Sequence, residues 1–135
     1  MAIRDLSALL KNLSVSRRPG RWCMVSNVIV PTDVLVAATI VEDEGVTTII
    51  PVADAERLGV VPEFVAAWLT VDLHSDLDLV GLTAVFSTAL AAAGIPCNVL
   101  AGYHHDHLLV PEAEADRVIA ILRGLRSSCH PDGGP

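Results

Sequence analysis

Pro51-Val52-Ala53-Asp54-Ala55-Glu56-Arg57-Leu58 and Pro111-Glu112-Ala113-Glu114-Ala115-Asp116-Arg117-Val118 are two writings of one octapeptide, sixty positions apart. At the same ungapped offset Thr48, Ile49 and Ile50 fall on Leu108, Leu109 and Val110, and the run Leu35 to Ile40 falls on Ile95 to Leu100. Each copy reads strand, turn, strand, proline, helix: β-forming residues precede a proline that cannot extend a ladder, and acidic residues open the segment after it. The reading is a duplicated module. Two related modules on one short chain meet at a pseudo-symmetric seam, a common seat for small ligands. Function is therefore expected at the seam rather than in one local motif.

The chain has 135 residues, enough for one compact domain or two very small ones, and half-units near sixty residues bury too little surface to stand comfortably alone. The halves are expected to share a core. Hydrophobic residues make up 52% and charged residues 19%, more apolar than an average globular domain, which predicts a homodimer covering part of the surface. A formal charge of −7 opposes a phosphate backbone and excludes nucleic acid as a partner. Cys23, Cys97 and Cys129 form no Cys-x-x-Cys pattern, so neither a disulfide framework nor a zinc knuckle is expected and a cytoplasmic location fits best. Arg4, Asp5 and Lys11 interrupt the start, which therefore does not read as an export signal. Leu79 to His105 carries no charge other than histidine, yet Gly94-Ile95-Pro96 breaks it after roughly fifteen helical residues, short of the ~20 a membrane span needs. No membrane partner is expected.

Leu6, Leu9, Leu10 and Leu13 predict a short helix over Asp5 to Asn12, followed by a turn-rich connection from Ser14 to Gly20. Trp22 to Val30 and Val34 to Val41 read as strands, and Val46 to Ile50 returns as a hairpin partner across Glu42-Asp43-Glu44-Gly45. A helix then runs to Gly59, and Pro62 marks the link between halves. From Ala67 the pattern alternates, with Ala67, Leu69, Val71 and Leu73 toward a core and Trp68, Thr70, Asp72 and His74 away from it. A helix opening near Asp76 to Asp78 carries Leu82, Val85, Phe86, Ala89, Leu90 and Ala93 on one stripe and stops at Gly94. Ile95 to Gly102 and His107 to Val110 predict a hairpin around Tyr103-His104-His105-Asp106, and Ala115, Val118, Ile119, Leu122 and Leu125 a closing helix.

The second half thus runs β-α-β-β-α, one strand short of the βαββαβ order of a ferredoxin-like sandwich. The missing strand must come from the first half or from another subunit, so strand exchange between halves is expected. The fold class is α+β, two ferredoxin-like modules in tandem with antiparallel sheets backed by helices. Residues 1–62 form a first, degenerate module without an amphipathic helix between Trp22 and Val34, residues 63–126 form the second, and residues 127–135 form a flexible tail.

This order, with His74-Ser75-Asp76-Leu77-Asp78-Leu79-Val80-Gly81-Leu82-Thr83 between first strand and first helix, resembles the ACT family of small-molecule-binding regulatory domains. The stretch from Val80-Gly81-Leu82 through Ala92-Ala93-Gly94-Ile95 to Tyr103-His104-His105-Asp106-His107-Leu108-Leu109-Val110-Pro111 is similar to tandem ACT proteins that include amino-acid sensors. The resemblance implies a non-catalytic regulatory protein whose ligand, an amino acid, sits between modules without a cofactor. It places the ligand against the loop after the first strand, the glycine opening the helix and the second strand. In this chain those places give His74, Ser75, Val80, Gly81, Leu82 and Thr83, with Asn98 and Val99 opposite and Tyr103 or His74 supplying selectivity. The chemistry of a helix start agrees, because unpaired N–H groups attract a carboxylate and glycine permits close approach. Asp76 and Asp78 would cap the helix or meet the ligand's amino group.

Other chemistries are less well supported by the sequence. Strand alternation puts His105 and His107 on one side and His104 with Asp106 on the other, so no single tetrahedral metal site is expected. Ser87, Cys97, His74 and Asp72 have no spacing that recommends a nucleophile with its base. No P-loop or dinucleotide fingerprint occurs, and Arg17, Arg18 and Arg21 beside Pro19-Gly20 read as a solvated turn. The alternatives to a ligand sensor are a ligand-free interaction or dimerisation module, or a small transferase-type enzyme.

Overall fold

Pro51 and Pro111 each end a strand, and each is followed by helical chain. The computed structural model describes residues 8, 10–72 and 81–128. Its strands are β1 (Ser14–Ser26), β2 (Ala38–Glu42), β3 (Gly45–Pro51), β4 (Ala66–Asp72), β5 (Asn98–Ala101) and β6 (Asp106–Pro111). Its helices are α1 (Val52–Arg57), α2 (Leu82–Ala92) and α3 (Ala115–Ser128), the last entered through a 3₁₀ turn at Glu112–Glu114. Ala8 and Leu10 are helical as well, within the predicted leading helix.

All six strands form one antiparallel sheet in the order β2-β3-β1-β4-β6-β5. The duplication is visible in its register. Ala38 faces Ile49 as Asn98 faces Leu109, and Trp22 faces Pro51 as Ala66 faces Pro111. The second half is longer between its first strand and its hairpin because it carries α2, which the first half lacks. Strand exchange is reciprocal: β1 begins the first half and borders the second as its fourth strand, while β4 begins the second and borders the first.

The helices lie on one face. Ala67, Leu69, Val71, Leu108 and Val110 project there from β4 and β6 into a core with Phe86 and Leu90 of α2 and Val118 and Leu122 of α3. Leu10, Leu13 and Val15 from the beginning of the chain are buried in the same core. Farther along that face, Val52 and Ala55 of α1 cover Cys23, Val25 and Ile50. A 3.6-residue stripe on each helix meets a two-residue alternation on each strand, which is why these side chains coincide.

The predicted turn at Ser14 to Gly20 is instead the first half of β1. There Val15 faces Val71 and Arg18 faces Trp68, and tertiary pairing overrides the local Ser, Arg, Pro and Gly content. Pro19 and Gly20 sit where the register shifts between Arg18 and Trp22, and Gly20 adopts φ +97° at this bulge. The strand expected to reach Val30 stops at Ser26. Asn27 enters the left-handed region with φ 55°; its N–H donates to the Val46 carbonyl and its Oδ1 accepts the Val46 N–H, each at 2.9 Å. The strand expected from Val34 starts only at Ala38, because Val34 turns back onto the Pro31 carbonyl and is buried under α1. α3 runs through Ser128, past the expected start of the tail, and residues 129–135 lie outside the described residues.

Candidate functional site

Two places could receive a small molecule, and the structure separates them. The first is the start of α2. Gly81 is its N-cap in a left-handed conformation, φ 96° and ψ −11°, and among the described residues no side chain caps the helix. Its first turn holds no acidic residue, so the N–H groups of a helix start present partial positive charge there; Asp76 and Asp78, the caps expected from the sequence, lie outside the described residues. Leu82 points into the helix-side core and offers only backbone, whereas Thr83 is exposed. Asn98 is exposed at the start of the edge strand β5, Val99 beside it is half-buried, and Tyr103 stands exposed at the hairpin tip, edge-on to His104 at 5.0 Å. His74, Ser75 and Val80 lie outside the described residues.

The second place is the helix-free face. Sequence alternation predicted a core on one side of β4 only, but Trp68 on the other side is also buried, packed with Trp22, Ile49, Ala66 and Leu109. Ala37 and Ala38 at one edge of the sheet and Leu100 at the other pack against this same cluster. The sheet must therefore curl strongly, in keeping with the twist of antiparallel strands, until its two edges approach across the tryptophans. The result is an open cleft of about 490 Å³ on the seam between the halves, within the size range of small-molecule sites. Ala37, Ala38 and Ile40 form one wall; Val99, Leu100 and Ala101 form the other. Trp68, Gly102 and His107 complete the lining.

His107 is the one ionisable side chain among the described residues that line the cleft. Its Nδ1 lies 3.2 Å from Trp68 Nε1 and 3.0 Å from Thr70 Oγ1. An indole N–H can only donate, so Nδ1 is the acceptor and the neutral ring carries its proton on Nε2. A β-carbon added at Gly102 would stand 3.1 Å from that Nε2 and 2.9 Å from the His105 carbonyl, so glycine keeps the space in front of the donor open. Burial lowers the His107 pKa, helped by His105 and Arg18 and opposed by Asp106. The Arg18 guanidinium lies 4.6 Å from the Trp22 ring centre and 4.8 Å from that of Trp68, a cation–π arrangement. No carboxylate pairs with it among the described residues. The sequence reading had placed Arg18 in a solvated turn, but its partners across the sheet put it beside the tryptophans.

Among the described residues no group of three or more His, Cys, Asp and Glu could hold a metal ion. His105 Nδ1 is 3.4 Å from Asp72 Oδ1 without hydrogen-bond geometry, and the His105 and His107 rings stand 6.3 Å apart. Burial pushes the thiols of Cys23 and Cys97 up, away from the nucleophilic thiolate form, with Glu56 adding to the effect at Cys23. Ser87 spends its hydroxyl on the Thr83 carbonyl of its own helix at 2.8 Å. No helix of the described residues is long and apolar enough to cross a membrane.

One antiparallel sheet built from two ferredoxin-like halves, each lending the other an edge, defines a tandem-domain protein of the ferredoxin-like class. ACT domain families match residues 63–124 and residues 1–67, and the chain belongs to the ACT-domain family as a tandem pair. The two matches overlap at the entry to β4, the strand both halves use. ACT domains are regulatory modules, which makes this a regulatory-domain protein. The chain is similar to a Vibrio cholerae protein of unknown function, described as a possible transport protein, with 31% identity over 92% of this chain and 98% of that one and a TM-score of 0.82. It shares its fold with aspartokinase alpha and beta subunits at 10% identity, covering 84% of this chain and 97% of that chain with a TM-score of 0.62. The regulatory subunit of aspartate kinase from Thermus thermophilus has the same fold at 9% identity, covering 82% and 95% of the two chains with a TM-score of 0.61. No curated protein matches the chain.

Proposed function

We propose that this protein is a non-catalytic regulator that binds an amino acid at the seam of two ACT modules, residues 1–62 and 63–126, with residues 127–135 as a tail. The observation that carries the reading is the left-handed glycine that opens α2 at Gly81, without an acidic residue in the first turn, within an ACT module. Gly81, Leu82 and Thr83 receive the ligand's carboxylate through backbone N–H groups, with Asn98 and Val99 alongside. His74, Ser75, Val80 and Tyr103 complete the proposed site and supply side-chain selectivity. Binding regulates only insofar as the ligand prefers one packing of the seam over another. The protein acts in the cytoplasm as a homodimer and needs no cofactor.

A thermal-shift screen over the common amino acids tests this directly. A true ligand at a hundredfold excess over its dissociation constant stabilises the fold by about 2.7 kcal/mol. Thr83→Asp then discriminates: Thr83 is exposed in the first helical turn, where an acidic residue favours the helix but repels a carboxylate. Loss of the ligand response with an unfolding midpoint that is not lowered supports the assigned site; an undiminished response in this variant removes it.

A second reading, a docking or dimerisation module without ligand, draws on the exposed apolar residues Ile40 and Val41 of the edge strand β2, with Leu35 before it and Val46 on the adjoining β3. It is favoured if no amino acid shifts the melting transition and the protein self-associates through that edge.

A further inference from the structure

We propose that the cleft on the helix-free face is a second binding site, separate from the α2 start, for a small aliphatic monocarboxylate lacking an amino group. The walls are apolar and the residues at the rims are small, with Ala37 and Ala38 facing Ala101 and Gly102. Such a space takes a short branched or linear hydrocarbon against the Trp68 ring. Among the side chains of the described lining residues, Trp68 already gives its indole N–H to His107, which leaves the Nε2–H of a neutral His107, its tautomer set by Trp68, as the polar side-chain group available to an occupant. A neutral imidazole in that tautomer donates and does not accept at Nε2, so the occupant presents an acceptor there.

Charge decides what kind of acceptor. Arg18, stacked on Trp68, carries a cation with no acidic partner among the described residues, and its charge is felt at His107. Among the described residues no carboxylate lines the cleft. The acid nearest in sequence, Asp106, occupies the next strand position and so projects from the opposite side of β6. An anionic acceptor is therefore compensated, whereas the ammonium of an amino acid would find no side-chain counter-ion in the lining. This separates the cleft's occupant from the ligand proposed for Gly81.

The test is a titration of the full chain with sodium isovalerate, followed by ¹H–¹⁵N spectra, with isoamyl alcohol and leucine as matched comparators. The expected result is a saturable shift of the Trp68 indole N–H and of the amides of Leu100, Ala101 and Gly102, with isovalerate the tightest of the three. Arg18→Gln weakens isovalerate by about tenfold or more while leaving the alcohol unchanged, as expected for loss of a charged partner. Ala38→Leu, which fills the cleft from its rim, removes the shifts at an unchanged unfolding midpoint; if that variant unfolds, His107→Phe is the second probe and loses the carboxylate preference. Equal affinity for acid and alcohol, shifts confined to Gly81 to Thr83, or full affinity in Arg18→Gln overturns the proposal. An isovalerate response in the cleft without any amino-acid response at Gly81 to Thr83 sinks the reading under the previous heading and leaves this one standing.

Discussion

Cutting the chain between the halves should abolish independent folding, because each half borrows an edge strand from the other. A fragment of residues 63–128 keeps β4, α2, β5, β6 and α3 but loses Leu10, Leu13 and Val15 from its core, together with the β1 ladder against β4. Fully burying one such side chain is worth about 1.5–3 kcal/mol, so the three contribute about 5–9 kcal/mol. A domain of this size is stabilised by only about 5–15 kcal/mol in total. The fragment also exposes the whole backbone edge of β4, which invites strand addition by another copy. Urea unfolding followed by tryptophan fluorescence and far-UV circular dichroism should show a sharp transition for the full chain and no cooperative transition for the fragment. Adding residues 1–62 in trans should restore the transition. A fragment that unfolds alone with the full chain's midpoint and slope would refute reciprocal strand sharing as a source of stability.

Three other outcomes follow from individual residues. Phe86→Ala empties a fully buried position between α2 and the sheet and should cost about 3–5 kcal/mol by chemical denaturation, against well under 1 kcal/mol for the exposed Thr83→Ala. Gly45→Ala drives a β-carbon into the Asn27 side-chain amide at a φ of +151°; strain of this kind costs about 1–3 kcal/mol, and the Val46 amide, which donates to Asn27 Oδ1, should lose hydrogen-exchange protection. His107 titrates below its ordinary value of 6.5, chiefly through burial, so the unfolded chain takes up the proton more readily than the folded one. Its contribution is fully present above 6.5 and is lost as the pH falls from there through the lowered folded value; stability should decline across that window in the native chain and decline less in His107→Phe.

Much of the fold was legible because the duplication is written in residues that must stay fixed. Pro51 and Pro111 mark where a ladder ends, and the offset they define reappears unchanged in the pairing of Ala38 with Ile49 and Asn98 with Leu109. The amphipathic stripe of α2 was equally plain, since Leu82, Phe86 and Leu90 meet one core. β1 was not legible. Pro19, Gly20 and three arginines are the local signature of a turn, and only pairing with both β4 and β3 makes this segment a strand with a bulge. The start of α2 could be named as a candidate because a glycine before an apolar helix is a local signal. The cleft could not, because its two walls are sixty positions apart and meet only through the curl of the sheet. The alternation at Trp68 and Thr70 held a hint, since an outward tryptophan on a central strand needs cover.

Sharing strands gives the seam a mechanical property that two independently closed modules would lack. β1 and β4 lie at the centre of the sheet, and each serves both halves. A change in their relative twist cannot be confined to one module, because the strand that starts one half is the border of the other. The cleft reads that twist directly: its walls are the two outermost strands, so a small rotation at the β1–β4 pair is summed over the strands on either side before it reaches Ile40 and Leu100. The helix starts lie on the opposite face of the same strands. A molecule in the cleft that favoured a tighter curl would therefore act on the packing beneath α2, and a ligand at the proposed Gly81 site would act on the cleft by the same coupling energy, since linkage between two sites is reciprocal. Measuring isovalerate affinity with and without a saturating amino acid isolates that energy, and equal affinities would mean that the two faces of the sheet move independently.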